Sequence, residues 1–142
     1  MFRRDYFERM IEEAGQVLAR LVGLREAQRP DEALRLLDEV YEAYFPFPRH
    51  LIIHTEPTDL PGLLQETHHV SEPQLTVLAD LMREEAELSF QRGQWDKGQH
   101  LLRGALALHE SLDAQRPDLY SFARVAKIEE LRKRLDEDEE DL

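Results

Sequence analysis

From Met82 to Leu108 the chain reads Met-Arg-Glu-Glu-Ala-Glu-Leu-Ser-Phe-Gln-Arg-Gly-Gln-Trp-Asp-Lys-Gly-Gln-His-Leu-Leu-Arg-Gly-Ala-Leu-Ala-Leu, and its spacing sets the fold class. Leu75, Leu78, Leu81, Met82, Ala86 and Phe90 recur at three- and four-residue intervals, the period of one face of an α-helix. Gly93 interrupts that pattern. A second stripe, Leu101, Leu102, Ala105 and Leu108, follows Trp95. Upstream, Ser71 followed by Pro73 and Gln74 reads as an N-cap with a proline in the first turn and a capping box.

The same period runs outward in both directions. Phe7, Met10, Ile11, Ala14, Val17, Leu18, Leu21 and Leu24 stripe a helix of about 22 residues. Pro30, with Asp31 and Glu32 behind it, opens a second helix carrying Ala33, Leu34, Leu37, Val40, Tyr41 and Tyr44. Pro46 and Pro48 end it. Pro117 starts a last helix striped by Phe122, Val125, Ile128, Leu131 and Leu135. Residues 46–71 are irregular, with Thr58 placed to cap a short helix bearing Leu60, Leu63 and Leu64. No stretch alternates with period two for long enough to form a strand. The expectation is an all-α fold of five long helices and one short, a single domain over 1–135, and an acidic disordered tail over 136–142.

Small residues sit at Ala86, Gly98 and Ala105, twelve and seven apart, around Gly93-Gln94-Trp95 and Leu102. This pattern resembles a tetratricopeptide repeat. The resemblance implies antiparallel helix pairs whose backbones approach at the small residues, stacked in a right-handed superhelix. Leu21, Ala33, Leu37 and Val40 repeat the offsets, with Gln28 where the turn glycine would stand. Ala33 and Gly98 are 65 apart, close to two 34-residue periods. Gly98 for alanine, Ser89 for an aromatic and Glu110 for a proline depart from the pattern. The opening Met1-Phe2-x-Arg4-Asp5-Tyr6-Phe7-x-Arg9-x-Ile11-Glu12-Glu13, continuing into Val17-Leu18-Ala19-Arg20, resembles an uncharacterised family of short bacterial proteins that end in the same degenerate repeat. That family implies the fold and no activity.

Composition excludes several functions. The chain has 142 residues, 18 basic and 30 acidic, a net charge of −12 and no cysteine. A phosphate-backbone binder wants a clustered basic face, so nucleic acid is not an expected partner. Without cysteine there are no thiol nucleophiles and no thiolate metal sites, and the composition fits a reducing cytoplasm. No apolar run reaches the roughly 20 residues needed to span a bilayer, and the N-terminus is charged where a signal peptide would be apolar. Six acids close the chain from Asp136 to Asp141.

The chemistry-bearing side chains form no catalytic set. His100 and His109 leave opposite sides of one helix, and the adjacent pair His68 and His69 diverges. Only His50 and His54 have the i, i+4 spacing that chelates an ion. They flank Leu51, Ile52 and Ile53 in the prolyl segment, where a loop or core pair is expected, and no metal or other cofactor. The acid pairs Glu12-Glu13, Glu84-Glu85 and Glu129-Glu130 read as solvated helix faces. No phosphate cradle and no Gly-x-Ser-x-Gly is present. The expectation is a non-enzymatic interaction or scaffold module, the alternatives being a self-associating homodimer and a small-molecule- or metal-binding helical domain around His50 and His54.

Two surfaces are candidates. Repeats of the resembled kind clamp a carboxylate terminus with Lys and Asn. Arg83-Glu84-Glu85-Ala86-Glu87 would repel such a ligand, so Glu84 and Glu87 point to a basic or apolar partner segment. Phe2, Tyr6 and Arg9 share one side of the first helix, which suits a partner or a second copy of the chain in a homodimer, or packing beneath the C-terminal helix.

Overall fold

Two turns 65 residues apart organise the molecule. Gln28 (φ 58°) and Gly93 (φ 75°) both adopt the left-handed conformation. In each turn the next residue bonds back five positions, Arg29 N to Leu24 O at 2.9 Å and Gln94 N to Ser89 O at 2.8 Å. Each therefore ends one helix in a six-to-one Schellman bond and starts the next one residue later. Glycine holds this conformation freely in the second turn, whereas Gln28 holds it against the steric cost of its Cβ.

The computed structural model describes the backbone of residues 2–115 and 121–140, and the side chains of 8–115 and 121–137. Within them all regular structure is helical: α1 (Phe2–Glu26), α2 (Pro30–Tyr44), α3 (His50–His54), α4 (Leu60–Gly62), α5 (Glu72–Gln91), α6 (Trp95–Gln115) and α7 (Phe122–Glu140). A π-helical turn, Leu63–Thr67, continues α4. Helix α5 opens as its sequence dictates, Gln74 N donating to Ser71 Oγ at 3.3 Å and Ser71 N to Gln74 Oε1 at 3.0 Å. Pro117 lies outside the described residues, and the helical backbone of α7 runs to Glu140.

The described helices number seven rather than six, because α3 forms inside the irregular segment. Its cause is tertiary. Arg49, just before it, binds Asp38 of α2 at 2.6 Å, Ile52 is buried, and the Ile52 carbonyl meets His100 Nε2 at 2.9 Å. His50 and His54 are consequently exposed helical residues and not a loop or core pair. Near α4, Thr58 does not cap; Asp59 precedes the helix without a side-chain bond, and Leu60 and Leu64 are buried.

Helix α5 is the centre. It packs against α1, α2 and α6, and ion pairs join it to α7. Enclosure extends its burial beyond the predicted stripe to Val77, Ala79 and Leu88. Phe122, expected inward, is 81% exposed. Six residues, about 600° of turn, carry it some 120° away from Ile128, where the buried row Ile128, Leu131, Leu135 begins.

The close approach of α5 and α6 rests on Gly98. A Cβ there would stand 2.5 Å from the Phe90 ring, which lies 4.7 Å from the Trp95 ring and beneath the Arg134 guanidinium at 4.6 Å. Gly98→Ala is expected to lower stability by about 1 kcal/mol, overpacking of roughly 1–3 kcal/mol outweighing the gain from removing a helical glycine. At Gly104 a Cβ would meet only the flexible Met82 Cε at close range. Gly104→Ala should raise stability by up to about 1 kcal/mol. Urea unfolding of the two variants checks both signs.

Candidate functional site

Helices α1, α5 and α7 frame a cleft of about 440 Å³. Residues one turn apart supply each wall. Ile11, Ala14, Gly15 and Leu18 come from α1, Glu72, Pro73, Thr76, Val77 and Asp80 from α5, and Arg124 and Lys127 from α7. The wall on α1 exists because Met10, Ala14 and Leu21 turn into the core, which leaves Ile11 on the margin at 50% exposure. Val77 is 6% exposed and closes the floor.

Most polar groups here are engaged. Lys127 Nζ donates to Asp80 Oδ2 at 2.9 Å, and Thr76 Oγ1 to the Glu72 carbonyl at 3.1 Å. Asp80 Oδ1 lies 3.9 Å from Nε2 of buried His109. Burial pushes the His109 imidazole from 6.5 down to about 4; Asp80 opposes this, and Lys127 and Arg124 add to it. His109 is therefore neutral at physiological pH, and its Nδ1 has no hydrogen-bond partner among the described residues. The Arg124 Nε is likewise buried and unpaired. What the cleft offers is an apolar trough edged by Arg124, whose Nε has no hydrogen-bond partner among the described residues.

A second cleft, of about 480 Å³, lies where Phe45-Pro46-Phe47-Pro48 leaves α2. Tyr41, Phe45 and Phe47 form an aromatic cluster with ring centroids 5.4, 5.5 and 6.5 Å apart. Behind it stands Glu85, 1% exposed, with Arg49 Nε at 3.5 Å and Lys97 Nζ at 3.8 Å. Neither carboxylate oxygen has a hydrogen bond among the described residues, nor does the Tyr41 hydroxyl. Burial raises the Glu85 carboxyl, against the lowering influence of Arg49 and Lys97, with Asp38 raising it further. Burial and then the Glu85 charge lift the Tyr41 phenol well above its usual value.

The expectation that Glu84-Glu85 forms a solvated face is overturned: both are buried, at 6% and 1% exposure. A helix enclosed by its neighbours has no solvated face to offer. Glu12, Glu13, Glu129 and Glu130 are exposed, as expected. Glu84 accepts from Arg25 Nε at 3.1 Å and Arg83 Nη1 at 3.0 Å, and Glu87 from Arg134 Nε at 3.1 Å. Arg9 is exposed on α1, while the side chains of Phe2 and Tyr6 lie outside the described residues. The sequence reading missed the cleft. Its one available signal was Val77, an apolar residue off the Leu75–Leu78–Met82 row.

Among the described residues no group of three or more metal-capable side chains assembles, and no helix is long and apolar enough to cross a membrane. No family model, curated protein or solved structure matches the chain.

Proposed function

We propose that the chain is a non-enzymatic interaction module, built as a tetratricopeptide-like array, whose cleft between α1, α5 and α7 receives an apolar segment of a partner protein. The observation that carries this reading is the trough itself: Ala14, Leu18, Pro73 and Val77 inside it, Ile11 half exposed at its edge. An apolar recess with a polar rim is where partners dock their anchoring side chains. The array reading is supported by the two matching turns, each joining a helix pair, and by the packing of α5 against both α1 and α6.

Ile11→Asp tests it, because the change falls on an exposed edge and spares the core. Affinity capture from the host lysate should recover a partner with the wild-type chain and at least tenfold less with Ile11→Asp, at unchanged helical content. Equal recovery would remove the cleft from consideration. Recovery of the bait alone, at the mass of two chains, would favour self-association through Phe2 and Tyr6.

A further inference from the structure

His50 and His54 open and close α3, so one helical turn separates them and both leave the same side. Both are exposed, and their ring centroids are 6.2 Å apart. Among the described residues neither imidazole is held by a hydrogen bond. An imidazole nitrogen sits about 2.0–2.1 Å from a bound zinc, which places two ligating ring centres roughly 4.5–5.2 Å apart at cis or tetrahedral angles. The observed spacing exceeds this by about 1 Å, which rotation of the two exposed side chains closes.

We propose that His50 and His54 form a two-imidazole chelate for a divalent late transition-metal ion, with water completing its coordination. Neutral imidazole pairs suit copper, nickel and zinc, and copper(II) is held most tightly of the three. The mount is already ordered. Ile52 is buried with its carbonyl 2.9 Å from His100 Nε2, Thr55 Oγ1 donates to the Leu51 carbonyl at 2.6 Å, and Arg49 ties the start of the helix to Asp38. Binding therefore has only two side chains to fix, and this preorganisation favours the chelate. The other histidines are placed differently. His68 packs on the Phe47 ring, His100 meets Ile52, His109 is buried, and His69 is exposed without an i+4 partner.

Calorimetric titration of the tag-free full chain with copper(II) chloride, and separately zinc(II) chloride, in a non-coordinating buffer at neutral pH tests the proposal. One ion per chain is expected, tighter for copper. His50→Ala and His54→Ala should each weaken binding at least about tenfold, while His69→Ala leaves it unchanged. The copper paramagnetic resonance spectrum should change from two nitrogen ligands to one in either alanine variant. Uptake that survives both alanine substitutions, or no uptake at millimolar ion, overturns the proposal. Circular dichroism verifies each variant's fold, and His54→Gln reads the same bond if an alanine variant loses helicity.

Discussion

Replacing Arg49 by alanine is expected to destabilise the fold by about 3 kcal/mol at pH 7, the lower end of what removing one member of a buried ion pair costs. Glu85 would be left 1% exposed with only Lys97, 3.8 Å away, to answer its charge. Arg49 also binds Asp38, so its loss unties the start of α3 from α2 as well. The penalty has a definite pH dependence. A carboxyl raised by burial contributes most below its unfolded value of 4.5 and loses that contribution as pH climbs through its higher folded value. Losing Arg49 raises the folded value further, so the deficit against wild type should shrink at pH 5 and grow towards pH 7. Guanidinium unfolding at the two pH values measures it. Glu85→Gln in the Arg49→Ala background should recover part of the loss by removing the stranded charge. An equal deficit at both pH values would show that packing, and not charge, is what Arg49 supplies.

Acid should loosen the fold through His109. Its folded-state value of about 4 lies below the ordinary 6.5, so the unfolded chain takes up the proton first. The stability it contributes is complete above 6.5 and is lost as pH falls through that value towards about 4, on the order of 3 kcal/mol at about 1.4 kcal/mol per pH unit. Asp80, Lys127 and Arg124 all act on the ring, and only Asp80 favours its protonation. His109→Gln keeps a side chain of similar size that does not titrate. The difference in unfolding free energy between wild type and His109→Gln should therefore fall steadily between pH 7 and pH 4. Parallel curves would mean that His109 titrates alike in the folded and unfolded chain.

What the sequence made legible was local. The capping box at Ser71 and the left-handed turn at Gly93 are decided by residues within five positions of one another, and both stand where the residues place them. Gln28 shows the same logic at lower clarity: a residue that does not advertise a turn takes the left-handed conformation at the end of α1. The failures are tertiary. Helix α3 is five residues long and owes its order to Arg49, Ile52 and His100 meeting partners far along the chain. Glu84 and Glu85 look like a hydrated pair until four neighbours enclose α5. Ile11 and Val77 become a cleft only once α1 and α7 stand on either side of that helix, and the position of Val77 off the buried row is the single hint their spacing gives.

Salt acts on only part of what holds the walls of that cleft. Helix α1 is pinned by Met10, Ala14 and Leu21 in the core, an attachment that salt does not weaken. Helix α7 meets α5 through a row of ion pairs, Lys127 with Asp80, Arg83 with Glu130 and Arg134 with Glu87, about one turn apart. Partly exposed pairs of this kind contribute on the order of 1 kcal/mol each and are screened over roughly 8 Å at physiological ionic strength. Rising ionic strength thus slackens the direct hold of α7 on α5, while Leu131 and Leu135 keep α7 seated in the core, so salt trims that bank of the trough without detaching it.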